Sequence, residues 1–275
     1  MPVIATNTAA NSALRYLNLN SDAESSITSK LASGSRITKA SDDASGLAIG
    51  TRIQSDVTVL SQASTNAKQA TAILQTADGG LARISDILQR MKSLATQSNS
   101  GSVTDNERTY INSEYTQLAS EITGIAQSTR YNGVSLLDGS GIYASGVSFM
   151  VGTSTSDTIS VTIAGADATD LAVASTAVGS QTNAQAAITA LDSAISTISS
   201  QRASVGASMS RFDFRSQTID TSSENLSAAQ SAVMDADVAS EKSALSSADV
   251  KYQAAIAALT QANQLPQNLL SLLKS

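Results

Sequence analysis

The chain has no cysteine, no histidine and no tryptophan among its 275 residues, and only two prolines. Without cysteine there is no disulfide and no thiolate nucleophile. Without histidine there is no imidazole base, and no usual zinc site can be assembled. Most hydrolase and oxidoreductase chemistries are thereby excluded, so no enzymatic activity, cofactor or metal is expected. Aromatic residues make up 3% of the chain, with three Phe. A compact globular core normally draws much of its buried area from large aromatic side chains. The apolar content here is mostly Ala, Leu, Ile and Val, spread evenly along the chain. Small residues at helical spacing let backbones approach closely, which favours an elongated helix bundle over a sphere.

The 17 Lys and Arg are scattered and outnumbered by 23 Asp and Glu, giving a net charge of −6 and a pI near 4.6. No basic stripe is interleaved with aromatics, so no nucleic-acid partner is expected. The longest uninterrupted apolar run, Ala254 to Leu259, is far too short for a membrane span. The N-terminal residues lack the basic, apolar, small-residue pattern of a cleaved signal peptide, so export would need another route.

What is present is helical periodicity. Leu60, Ala63, Ala67, Ala70, Leu74, Ala77, Leu81, Ile84, Leu88, Met91 and Ala95 keep a strict three-and-four spacing. Such a seam predicts a long helix packed as a coiled coil, spanning roughly 50 Å at 1.5 Å per residue. Gly79-Gly80 interrupts it at about 1 kcal/mol per Gly and reads as a close-contact or bend point. A second helix is predicted from Ile111, Tyr115, Leu118, Ile122 and Ile125, capped by Thr104 or Asp105. A third follows Ala184, Ile188, Leu191, Ile195, Ile198, Val205, Met209 and Phe212, with Arg202 at one seam position, snorkelling or paired with an acid. A fourth follows Leu245, Ala248, Tyr252, Ala255, Leu259, Ala262, Leu269 and Leu273, with Pro266 expected to kink or end it. Leu14, Leu17, Ile27 and Leu31 suggest an N-terminal amphipathic helix that stops at Gly34, before a polar loop over 35–45. Residues 131–180 are rich in Gly, Ser, Thr and Val. Alternation at Ile159, Val161 and Ile163, with turn signals at Tyr131-Asn132-Gly133 and Asp138-Gly139, predicts a few short strands.

The predicted class is therefore mainly α: a long antiparallel coiled-coil bundle formed by both chain termini, with a small central β insert. Pairing the ends closes a very long loop, at a cost that grows only logarithmically. Arms with a single apolar seam cannot bury it alone, so an isolated copy is expected to be disordered at both ends.

Two acidic groups invite a site reading. Asp42-Asp43 could be an acid–base pair or metal ligands, but adjacent residues rarely converge on one reacting atom, and capping of a helix N-terminus accounts for them better. Asp235, Asp237 and Glu241 could ligate a cation, yet the Gly-containing loop and the six to eight oxygens usual for Ca²⁺ are missing. Capping at a helix junction fits them better. Gly79-Gly80 and Gly139-Ser140-Gly141 lack the Lys-Ser/Thr of a phosphate loop.

Several segments together resemble one family. Leu31-Ala-Ser-Gly-Ser-Arg-Ile-Thr-Lys-Ala-Ser-Asp-Asp-Ala-Ser-Gly-Leu-Ala-Ile49 is similar to the N-terminal flagellin signature L-S-S-G-x-R-I-x-x-A-x-D-D-A-A-G-L-A-I. Ala262-Asn-Gln-Leu-Pro-Gln-Asn-Leu-Leu-Ser-Leu-Leu273 is similar to its closing A-N-Q-x-P-Q-x-x-L-S-L-L. Between them, Tyr131-Asn-Gly-Val-Ser-Leu-Leu137, Gly206-Ala207 with Arg211-Phe212, and Asp235-Ala-Asp237 with Glu241 resemble further flagellin segments in the same order. The resemblance covers about residues 1–165 and 181–275, and the large variable outer domains that the family usually adds are missing.

The resemblance implies a structural subunit that polymerises into the bacterial flagellar filament used for motility. In that reading residues 1–45 and 231–275 are inner-tube coiled-coil arms, and 46–230 form the outer-tube domain with the β insert. Polymerisation residues would be Leu14, Leu17, Ile27, Leu31, Leu259, Leu265, Leu269, Leu272 and Leu273. It also implies type III export through the flagellum to an extracellular location. The implied partners are further copies of the chain, hook-associated and cap proteins and a flagellar export chaperone. Gln89, Arg90, Leu94 and Gln97, with Glu114, resemble the stretch recognised by the flagellin-sensing Toll-like receptor, although Ser93 and Thr96 stand where receptor-active members usually carry Glu and Val. Two other readings share these arms: a hook–filament junction protein, and a surface flagellin homologue that binds polysaccharide. The C-terminal match over Pro266 to Leu273 favours the filament subunit over the first. The scarcity of aromatics for sugar stacking disfavours the second. A zinc protease of the kind some flagellins carry is excluded by the absence of histidine.

Overall fold

A computed structural model describes residues 6–274, with side chains described for residues 6–264. The elements in chain order are α1 (Thr8–Ser33), α2 (Ala44–Ser98), α3 (Asp105–Ser128), β1 (Arg130–Tyr131), β2 (Val134–Ser135), α4 (Ile142–Ser145), β3 (Val147–Met150), β4 (Thr158–Val161), α5 (Gln181–Met234) and α6 (Val238–Lys274). The chain divides into two compact units, one from residues 1–55 and 225–275 and the other from 56–224.

The first unit pairs the two ends of the chain. Asn7 caps α1 by accepting the Ala10 amide, and Gly34 ends it in the left-handed conformation, φ 69°, which costs a residue without Cβ nothing. Helices α1 and α6 run antiparallel. Asn7 Nδ2 donates to the Ala262 carbonyl at 2.8 Å, and Asn20 Nδ2 donates to the Lys251 carbonyl at 3.2 Å. The least exposed positions follow three-and-four spacing on both helices: Ala10, Ala13, Leu17, Asn20, Glu24, Ile27 and Leu31 on α1, and Glu241, Leu245, Ala248, Tyr252, Ala255, Leu259 and Ala262 on α6. Among the described residues of the pair, only Ala248, Ala255 and Ala262 of α6 are buried, and no residue of α1 is. The arms, expected to be disordered in one copy, are thus helical here, because each covers part of the other's seam. Helix α6 also runs through Pro266 rather than ending there. A proline removes a single bond of the helical ladder.

Backbone bonds join the two chain segments beyond α1. The Arg36 amide donates to the Met234 carbonyl at 2.7 Å, the Ala236 amide donates to the Gly34 carbonyl at 2.9 Å, and Ser35 bridges Asp235. The loop after Gly34 is polar as expected, except that Ile37 is buried.

The second unit holds the large core. All eleven seam residues expected between Leu60 and Ala95 are buried. The buried residues of the neighbouring helices are Tyr115, Ala119, Ile122 and Ala126 on α3, besides Arg108, and Ala184, Ala187, Leu191, Ala194, Ile198, Val205, Phe212 and Ile219 on α5. On these two helices the seam departs from expectation by one position in places. Ala119 and Ala126 are buried where Leu118 and Ile125 were expected, and Ala187 and Ala194 where Ile188 and Ile195 were. Small side chains at the centre of the contact let the helices approach, and the larger ones flank it. Arg202 lies outside the seam and pairs with Asp78, Nε to Oδ1 at 2.8 Å; Gln201 points inward instead and donates to the Gly165 carbonyl.

Gly79-Gly80 does not break α2. Gly80 is a close-contact point, since a Cβ there would lie 2.6 Å from Thr129 Oγ1 and 2.7 Å from Leu137 Cδ1. The β content is confined to 130–161. Strands β1 and β2 form a hairpin around Asn132 and Gly133, both with positive φ, and β3 pairs antiparallel with β4, Val147 opposite Val161. Residues 162–180, expected to share this β character, contain no strand. They still bury Ile163, Ala166, Ala168, Leu171, Val173 and Val178.

Candidate functional site

The acidic groups singled out in the sequence are engaged in local structure. Asp42 Oδ2 accepts from the Thr38 and Lys39 amides at 3.1 and 3.0 Å and from Thr38 Oγ1. The Lys39 and then the Thr38 amide hold its carboxyl below the ordinary carboxylate range. Asp43 caps α2 through the Gly46 amide at 2.8 Å and faces Arg36 at 3.5 Å. Asp237 caps α6 through the Ala239 and Ser240 amides, and Asp235 accepts from Ser231 Oγ. Among the described residues no group of acidic side chains is arranged to hold a metal ion.

The residues read as polymerisation contacts fall into three groups. Leu17, Ile27, Leu31 and Leu259 are half-buried seam residues of the α1–α6 pair. Leu14 lies off the seam, 47% exposed, and lines an open groove with Asn11, Asn18 and Leu19. Leu265, Leu269, Leu272 and Leu273 lie outside the described side chains.

The residues read as receptor contacts converge on one part of the second unit. The Arg90 guanidinium donates to Glu114 Oε1 through Nε at 2.9 Å and Nη2 at 2.6 Å, tying α2 to α3. Gln89 and Gln97 are exposed on α2, whereas Leu94 is buried in the core. Lys92 pairs with Asp192 of α5, so cross-helix ion pairs flank this stretch. Thr104 and Glu107 form a reciprocal capping box at the start of α3, and the Thr104 amide holds the Glu107 carboxyl below its usual range. Arg108, mostly buried, donates to the Ser98 and Ser100 carbonyls and pairs with Asp105.

One surface went unread in the sequence. Strands β3 and β4 lie against α5 around an edge-to-face contact of Phe149 with Phe212, ring centroids 5.8 Å apart. Beside it opens a cleft of about 440 Å³ lined by Arg211, Phe214, Arg215, Thr218 and Asp157, among others. Arg215 is committed to the Val151 carbonyl and the Asp157 carboxylate, both at 3.0 Å. The signal was available, since 211, 214, 215 and 218 share one helical face. Phe212, about 100° around the helix from Arg211, belongs to the buried seam instead.

Residues 4–141 match the bacterial flagellin N-terminal helical region and residues 188–273 the bacterial flagellin C-terminal helical region. The chain is 35% identical to a flagellin of Halalkalibacterium halodurans over 99% of this chain and 100% of that one. It is 34% identical to a flagellin of Listeria monocytogenes over 99% of each. The crystal structure of Bacillus cereus flagellin superposes with a TM-score of 0.51 at 31% identity, covering 56% of this chain and 88% of that one.

Proposed function

The chain belongs to the bacterial flagellin family and is a structural subunit of the flagellar filament, and from that premise we propose how its parts divide the work. Residues 1–45 and 231–275 act as inner-tube arms, and 46–230 as the outer-tube domain. The observation that carries this reading is the incomplete burial of the terminal seam. Helices α1 and α6 match in heptad spacing, yet no side chain of α1 is fully buried in a single copy. Half-covered apolar seams gain free energy when further copies cover them, at about 25 cal/mol per Å² of apolar surface. Leu14, Leu17, Ile27, Leu31 and Leu259 supply that surface together with Leu265, Leu269, Leu272 and Leu273.

The subunit works by packing, without catalysis. It leaves the cell through the flagellum's own export channel, escorted by an export chaperone, and meets cap and hook-associated proteins at the ends of the polymer. Gln89, Arg90, Gln97 and Glu114 offer polar groups to the flagellin-sensing Toll-like receptor; burial removes Leu94 from that surface unless α2 shifts. Electron microscopy after salt-induced assembly of the purified chain tests the central reading. Helical filaments are expected, and amorphous or persistently monomeric protein would overturn it.

A further inference from the structure

The two most exposed large apolar side chains among the described residues are Tyr110, 77% exposed on α3, and Phe214, 70% exposed on α5. Their electrostatic surroundings are opposite. Tyr110 sits one turn after Glu107 and one turn before Glu114. Helix α3 carries Asp105, Glu107, Glu114 and Glu121 against the single cation Arg108, which is turned inward. Phe214 sits one turn after Arg211 and directly before Arg215, on the cleft beside β3 and β4. Arg215 is held by Asp157, but Arg211 has no hydrogen-bond or ion-pair partner among the described residues. An exposed aromatic beside an unpaired guanidinium complements an exposed aromatic between carboxylates.

The two patches do not meet within one copy. Asp78 with Arg202, and Ser64 with Asp220, place Phe214 alongside residues 64–78 of α2. The Arg90–Glu114 pair on the adjoining helix places Tyr110 level with residues near 94, roughly 35 Å further along α2 at 1.5 Å per residue. Two different, displaced and complementary patches on one chain make a heterologous contact, the kind that propagates into an open helical polymer rather than closing into a dimer.

We propose that the Tyr110 face of α3 on one copy seats against the Phe214–Arg211 cleft of a second copy, as a contact of the growing polymer. The inference rests on the filament reading and names a surface for it. Tyr110 and Phe214 stack, while Arg211 faces the carboxylates flanking Tyr110, including Glu114 Oε2, which Arg90 leaves free. The exposed charges make the contact sensitive to salt.

Because the chain has no cysteine, introduced thiols are the only ones present. Full-length Tyr110→Cys and Phe214→Cys chains, co-assembled and treated with a short bis-maleimide, should give cross-linked dimers. Neither variant alone should, and the double variant should give a ladder. Arg211→Glu should raise the critical concentration roughly tenfold, a change of about 1.4 kcal/mol, while leaving the monomer's melting temperature in place. Sedimentable polymer that yields no cross-link overturns the contact alone. No sedimentable polymer from the unmodified chain overturns the filament reading, and the contact with it. Inorganic phosphate that raises the melting temperature of the unmodified chain but not of Arg211→Glu, without cross-linking, would assign the cleft to a soluble anion and overturn the contact.

Discussion

Two aspartates make opposite contributions to the pH dependence of this chain. Asp42 is stabilised as a carboxylate by the Lys39 and Thr38 amides, so its pKa is depressed in the fold. That contribution is present at neutral pH and is lost as pH falls through the depressed value. Asp170 behaves the other way. Burial and then the neighbouring Asp167 raise its pKa, with Asp138 adding to the rise. Its carboxylate lies so close to Gly139 and Gly165 that a Cβ at Gly139 would stand 2.6 Å from Asp170 Oδ2. A carboxyl with a raised folded pKa binds its proton more tightly in the fold, so stability falls as pH rises through that value. Asp170→Asn should therefore raise the melting temperature at pH 7 and match the parent near pH 3. Asp42→Asn should lower it at pH 7 and also converge at low pH. Thermal melts at both pH values check the pair, and a crossing in the wrong sense would reverse the assignments. Neither behaviour was legible in the sequence. Asp42 and Asp170 look alike as letters, and only the amides around one and the acids around the other separate them.

Single elements are where the sequence spoke most clearly. The α2 seam was readable residue by residue because a helix buried on one side repeats its apolar positions strictly, and all eleven positions are buried. The same reasoning slipped by one position on α3 and α5, where alanine takes the centre and Leu118, Ile125, Ile188 and Ile195 flank it. Hydrophobicity alone ranks Leu and Ile above Ala, but close helix approach reverses that order at the contact. Leu81 and Leu88 are fully buried, and Leu81→Ala or Leu88→Ala should destabilise the second unit by about 2–5 kcal/mol through lost burial and a residual cavity. Calorimetry gives the measurement, and an unchanged midpoint would contradict the packing. Gly80→Val should also destabilise this unit, whereas Gly79→Ala, with open space around its Cα, should be neutral or slightly stabilising. The short strands were legible as far as Val161. Beyond it the chain keeps burying apolar side chains while its backbone bonds singly, the Ile163 amide to Tyr143 and the Ala166 amide to Leu137, rather than in a ladder, and alternation cannot tell a strand from such a packed segment.

At the scale of the whole molecule, the two units differ in how much they bury for themselves. The second has a continuous core shared by α2, α3 and α5, whereas among the described residues the α1–α6 seam of the first buries three alanines. Limited proteolysis of monomer should trim both ends and leave a resistant fragment near 56–224, and polymer should protect the ends. Equal resistance of the ends in both forms would contradict this. Replacing Leu17 and Leu259 together by Asp should abolish polymer, because two charges would enter a seam that assembly must cover, while the fragment's melting temperature stays unchanged. Sedimentation against total protein concentration reads the first effect and calorimetry the second. The pairing of the chain's ends was anticipated from matching seams, but the side chains that tie it, Asn7 and Asn20, were not. Asn20 on a helical seam reads as a flaw until its partner carbonyl is known, and Asn7 shows only as a helix cap.

Those two asparagines also set an order in time. Asn7 waits for a carbonyl 255 residues away and Asn20 for one 231 residues away. A ribosome adding about 5–20 residues per second needs on the order of 10–50 s to supply them. For all of that interval α1 has no α6 to pair with, while the second unit already has every residue of its core before α6 is made. The newborn chain therefore passes through a stage in which the core of its second unit is complete in sequence while the α6 half of the terminal seam is still missing.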